Sequence, residues 1–168
     1  MASRFPHRRD PNAENRVSSF ELFYDLVFVF AITQTTHLLI EHLTWLGALQ
    51  SGMILLTVWW AWQYTTWVTN ELNPDAIPVR LVLVAIMLGS LLMSIAIPEA
   101  FGDKAVLFAF SYVFIQVGRH LFLTFIAADP HTVERSRSAH ILSWFSISAV
   151  FWIAGAFAGG DTQIFLWI

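Results

Sequence analysis

Residues 19–40 read SFELFYDLVFVFAITQTTHLLI, and this run decides the fold. Twenty-two mostly apolar residues in a helix extend about 33 Å at 1.5 Å per residue, enough to cross a bilayer core about 30 Å thick. A polar tail, residues 1–17, precedes the run, and no small-residue cleavage site follows it. The run therefore predicts a retained membrane-spanning helix, and not a cleaved signal peptide.

Similar runs recur along the chain. Only 12% of the residues are charged and the mean hydropathy is +0.61, whereas a soluble domain usually carries about a quarter charged residues. The pattern predicts an all-α integral membrane protein, with a cytoplasmic tail over 1–17 and a polytopic membrane domain over 18–168. The expected helices lie near 19–40, 45–68, 77–97, 105–127 and 139–158.

A sixth apolar run, residues 162–168, is too short to cross a membrane. We expect it to be the start of a sixth helix, in which case the chain is part of a longer protein. A short re-entrant or interfacial tail is the alternative.

Basic residues predict the orientation. Four arginines lie in the tail, Arg80 follows the second run, and Arg135 and Arg137 follow the fourth run. The alternate loops contain one basic residue, Lys104. Because cytoplasmic loops are enriched in Lys and Arg, the N-terminus is expected in the cytoplasm and the protein in the cell membrane.

Charged residues within the apolar runs are the first candidates for function, because burying a charge in a membrane is costly. Asp25 should face the bundle interior, and Arg119 in the fourth run is its expected partner. Arg80 is a second candidate partner for Asp25 or for Glu21. Glu21 is better explained by a capping box with Ser18. An Asp25–Arg119 pair could be structural or could line a transport path.

Two histidines could titrate within the membrane. His37 lies near Gln34 and Thr36, and His120 is adjacent to Arg119. A proton relay through either is one hypothesis, and ordinary helix packing is the alternative that we favour.

Aromatic and small residues mark two further segments. Trp60, Tyr64 and Trp67 share a helical face, which suits a cation-binding wall but is explained better by packing and interfacial anchoring. Gly155 and Gly159 form a G-x-x-x-G pair, which indicates close helix packing.

Several classes of function lack support. The chain has no cysteine, no G-x-S-x-G, no H-E-x-x-H and no phosphate-binding loop with a lysine, so we expect neither a cofactor nor a metal. The basic residues form no stripe for nucleic acid.

Residues 21–32, ELFYDLVFVFAI, resemble the opening of the bacterial low temperature requirement A family. The resemblance continues nearly to the end of the chain. It includes Trp59-Trp60-x-Trp62, Thr66-Trp67, Asn70, Arg80, Ala96-Ile97-Pro98-x-Ala100-Phe101-Gly102 and the region from Tyr112 to Arg119. It implies a multi-pass membrane protein with further helices after residue 168, and it implies no catalytic or ligand-binding residue.

The resulting hypothesis is a membrane protein of ion or small-solute transport, with Asp25 and Arg119 on a polar path. The alternatives are a non-catalytic membrane or envelope component that supports growth at low temperature, and an intramembrane enzyme that uses Asp25. The expected partners are the lipid bilayer and either the missing C-terminal half or a second copy.

Overall fold

A computed structural model describes residues 19–72, 76–127 and 133–168, and the side chains of 22–67, 72, 76–127, 133 and 135–168. The elements formed by these residues are helical. They are α1 (Ser19–Glu41), α2 (Trp45–Glu71), α3 (Ile77–Ala96), α4 (Ala105–Phe122), α5 (Val133–Ala158) and α6 (Gly160–Trp167). A 3₁₀ turn, Ile97–Glu99, follows α3, and a π-helical turn, Leu123–Ala127, extends α4.

A helix lies near each predicted range, with α2 ending three residues later than predicted and α6 beginning two residues earlier. The largest difference is at the fifth helix. The fifth begins at Val133, six residues before the predicted start, so that Arg135 and Arg137 lie in the first turns of α5. The predicted tail, the Ser18 cap and part of the loop after α4 lie outside the described residues.

Four of the described helical segments are long and apolar enough to cross a membrane. They are Leu22–Glu41, Ile77–Glu99, Ala105–Ala127 and Arg135–Ala158. The α2 helix is not among them, because the tryptophan and polar residues in its C-terminal half lower its hydropathy. A fifth crossing by α2 therefore stays a prediction.

The helices pack in an order that differs from their order in the chain. α1 contacts α2 and α3, α4 lies between α3 and α5, and α2 has only a small interface with α4. The core includes Phe108, Ile115, Met93 and Ile54, all fully buried. Many large apolar side chains are exposed on the outer helix faces, as expected for surfaces that contact lipid.

Glycine residues allow close packing at two helix interfaces, α3 with α4 and α5 with α6. In the predicted G-x-x-x-G pair, Gly155 lies at such an interface and Gly159 does not. A Cβ atom on Gly89 of α3 would lie 2.8 Å from the ring of Phe114 on α4. One on Gly155 of α5 would lie 2.6 Å from Trp167 Nε1 on α6. A Cβ atom on Gly159 would meet no described atom of another element within 4 Å, but the φ of +67° lets the chain turn from α5 into α6.

Candidate functional site

Arg119 is the most deeply buried charged residue among those that the structure describes. Its side chain has 0% exposure. It lies 14 residues into the apolar segment Ala105–Ala127 and eight residues, about 12 Å, before its end. In a bilayer that this segment crosses, Cα of Arg119 would lie well inside the hydrocarbon region.

Neutral oxygens accept the hydrogen bonds of this guanidinium. Arg119 Nη1 donates to Thr65 Oγ1 at 2.7 Å and to the carbonyl oxygen of Ala61 at 3.3 Å, both on α2. Arg119 Nη2 donates to Gln116 Oε1 on its own helix. Arg119 thus connects α4 to α2 across an interface that is otherwise small.

Aromatic and amide groups complete the surroundings. The Gln116 amide donates from Nε2 to the Tyr112 hydroxyl at 3.1 Å. The guanidinium carbon lies 5.3 Å from the centre of the Tyr64 ring, within cation–π distance. The Tyr24 hydroxyl, on α1, lies 3.5 Å from the Ala61 carbonyl oxygen. We call Arg119, Thr65, Gln116, Tyr112, Tyr64 and Tyr24 the Arg119 cluster.

No carboxylate neutralises Arg119 within the described residues. Its contacts there are neutral, and Nε has no hydrogen-bond partner. The predicted Asp25–Arg119 pair is therefore wrong for this structure. The reason is geometric: Arg119 is fully buried against the inner face of α2, whereas Asp25 is exposed.

Asp25 lies instead in an open groove between α1 and α2. Its Oδ1 accepts a hydrogen bond of 2.8 Å from Trp62 Nε1. The groove has a volume of about 280 Å³, and besides Asp25 and Trp62 its lining is Phe28, Val29, Ile32, Leu55, Val58 and Trp59. Asp25 therefore has a partner, as expected, but it does not face the bundle interior. The partner is an indole, which cannot exchange a proton with a carboxylate in catalysis.

The two predicted histidines have different surroundings. His120 is 2% exposed and stacks on Phe145 at 5.1 Å, with the Tyr64 ring edge-on at 5.8 Å. Within the described part of the chain, neither ring nitrogen of His120 has a hydrogen-bond partner. His37 is exposed on α1, and the nearby Thr36 hydroxyl donates to the backbone of its own helix. The structure thus places His120, and not His37, beside Arg119.

The remaining residues singled out from the sequence are Arg80, Glu21 and the aromatic face of α2. Arg80 is exposed in the first turn of α3, and the side chain of Glu21 lies outside the described set. The predicted aromatic face on α2 is confirmed: Tyr64 contacts Trp60 at 5.3 Å and Trp67 at 5.6 Å. Its inner member, Tyr64, lies within cation–π distance of Arg119.

Sequence reasoning missed Thr65, Gln116 and Tyr112. A signal was present, because Tyr112, Gln116 and Arg119 are spaced at i, i+4 and i+7 and so share one helical face. Thr65 gave no such signal, since threonine often bonds to its own helix backbone, as Thr65 also does.

These features place the protein in the class of helical membrane proteins, with a buried arginine among neutral side chains. The chain belongs to the bacterial low temperature requirement A protein (LtrA) family, whose profile matches residues 16–168. It is 35% identical over its whole length to an uncharacterized protein of Rhizobium meliloti (strain 1021). The chain spans 42% of the length of that curated relative. No solved structure matches the chain.

Proposed function

We propose that this protein transports or conducts a small anion across the membrane, with Arg119 as the cationic group on the path. The observation that carries the proposal is the buried guanidinium whose hydrogen-bond acceptors, among the described residues, are neutral oxygens. An ionisable residue inside a membrane usually pairs with an opposite charge or marks a pathway.

Electrostatics favour an anion as the missing partner. A charge removed from water costs several kcal/mol, and neutral hydrogen bonds and a cation–π contact offset only part of this cost. A carboxylate, nitrate or halide near Arg119 would neutralise the charge directly. The unpartnered Nε gives such an anion one N–H that no protein oxygen in the described part of the chain occupies.

The helix arrangement supports a route to this charge. The α2 helix packs mainly on α1 and meets α4 over a small area, where the bonds from Arg119 to Thr65 and to Ala61 lie. An anion that took over these donors would remove the main polar link between α2 and α4. Separation of the two helices would then cost little packing, and this conformational change would open the path.

Flux into liposomes tests the proposal. The complete natural protein is reconstituted, and the uptake of chloride, nitrate and acetate is followed while valinomycin and potassium balance the charge. We expect uptake of at least one of these anions above that of empty liposomes. Absence of flux for every anion would overturn the proposal and favour a non-catalytic role in envelope organisation.

A pair of matched variants separates a cationic site from a general effect of charge. Arg119→Gln should lose the flux, whereas Arg137→Gln, which removes one exposed positive charge from α5, should retain it. Flux that persists in a folded Arg119→Gln protein would also contradict the proposal.

A further inference from the structure

The groove between α1 and α2 has one acidic end and one apolar end. Because the two helices are consecutive and antiparallel, Asp25 lies opposite Trp62 and Ile32 lies opposite Leu55. The lining residues recur at intervals of three or four on each helix, so they form a continuous strip on each wall. The groove follows the helices for seven residues, about 10 Å.

The depth of the groove in the membrane matches one leaflet. The apolar part of α1 begins at Leu22, directly after the charged Glu21. Asp25 lies about 4.5 Å further along the helix. Ile32 is about 15 Å from Leu22, which is half of a hydrocarbon core about 30 Å thick. The acidic end therefore lies just below the membrane boundary, and the apolar end lies near the bilayer centre.

Charge determines which molecule fits this arrangement. Asp25 is exposed in the groove, and within the described residues its hydrogen-bond donor is the neutral indole of Trp62. A carboxylate has about four acceptor positions, so a second donor can bind Asp25 without displacing Trp62. The complementary ligand carries a cationic N–H donor at the level of the headgroups and a hydrocarbon chain directed towards the bilayer centre.

We infer that this groove is a binding site for a phospholipid with a primary ammonium headgroup, that is, a phosphatidylethanolamine. The ammonium donates to Asp25, and one acyl chain follows the strip between Phe28 and Ile32 on α1 and Leu55 and Trp59 on α2. Trp59 and Trp62 lie at the end near the boundary, where indole rings are favoured. The inference concerns a surface separate from the Arg119 cluster and does not depend on anion transport.

Photocrosslinking in nanodiscs tests the site. The complete protein is placed in phosphatidylcholine that contains a small fraction of phosphatidylethanolamine with a diazirine in its acyl chain. Mass spectrometry of peptides then locates the adducts. We expect adducts within residues 25–32 and 55–62, and a much lower yield there when the same diazirine is carried by phosphatidylglycerol, which has no ammonium group.

Asp25→Asn is the decisive variant. Asparagine retains an oxygen for Trp62 but loses the charge, and the loss of a charge-assisted hydrogen bond should lower phosphatidylethanolamine labelling about tenfold. Glu41→Gln removes an exposed carboxylate from the other end of α1 and should leave labelling in the groove unchanged.

Three outcomes would overturn the inference. Equal labelling by the two lipids would show an ordinary lipid-facing surface. Labelling that is insensitive to Asp25→Asn would show that the carboxylate is not the ligand. Absence of groove adducts with either lipid would show that lipid does not occupy the groove, as expected if a protein segment from a second copy or from another part of the complete protein covers it.

Discussion

Arg119 on α4 donates a hydrogen bond of 2.7 Å to Thr65 Oγ1 on α2, and both side chains are fully buried. This bond joins two helices that otherwise share only a small interface. A neutral acceptor orients the guanidinium and does not neutralise its charge.

Thr65→Val should destabilise the protein by about 1–3 kcal/mol, because valine keeps the shape but leaves a charged donor without its acceptor. Thr57→Val is the matched control, since the Thr57 hydroxyl donates to the Met53 carbonyl of its own helix. We expect a smaller loss for the control. The free energy of unfolding in detergent measures both, and equal losses would contradict the importance of the bond between helices.

The structure predicts that Asp25 and Arg119 contribute independently to the stability of the protein. Each makes its own contacts, with Trp62 and with the Arg119 cluster respectively. The effects of Asp25→Ala and Arg119→Ala on the free energy of unfolding should therefore add to within about 0.5 kcal/mol. A larger coupling energy in the double mutant would contradict this prediction and support the ion pair that was predicted from the sequence.

Gly155→Val should separate α6 from α5. The added side chain overlaps Trp167, whose Nε1 donates to the Trp152 carbonyl oxygen at 2.9 Å. Overpacking of this kind costs about 1–3 kcal/mol. In α2, a Cβ atom on Gly52 would meet no described atom outside its own helix backbone within 4 Å, so Gly52→Ala should instead be neutral or stabilising by up to about 1 kcal/mol. Thermal unfolding of both variants checks the contrast.

Orientation stays a prediction that labelling can test. The chain has no cysteine, so single cysteines report their own positions. Because basic residues favour the cytoplasmic side, Ser136→Cys should be protected from an impermeant reagent in intact cells, and His42→Cys should react. Reaction of Ser136→Cys with protection of His42→Cys would reverse the topology.

The helices were predictable because a spanning helix needs a long apolar run, which composition and length reveal directly. Which face of a helix points inward was less predictable. Asp25 was expected inside because burial of a charge demands a partner, yet the partner proved to be Trp62, in a groove at the protein surface. Nor could helical periodicity reveal that Arg119 would contact Thr65, since that contact depends on how α2 is rotated against α4.

A neutral substitution of Gln116 separates charge from hydrogen bonding in the Arg119 cluster. Gln116→Met removes the acceptor of Arg119 Nη2 and the donor to Tyr112, but leaves the positive charge. We expect a loss of stability of about 1–3 kcal/mol with anion flux retained. Loss of flux in a folded Gln116→Met protein would mean that the amide itself is required.

The most direct test of the central claim is anion flux through Gln116→Glu in liposomes. Glutamate has nearly the same shape, can accept from Arg119 Nη2 and can accept from the Tyr112 hydroxyl, so it supplies the carboxylate that the cluster lacks. If Arg119 attracts a transported anion, this variant should unfold at the same or a higher temperature than the natural protein and should carry no anion flux. Flux equal to that of the natural protein would contradict the account.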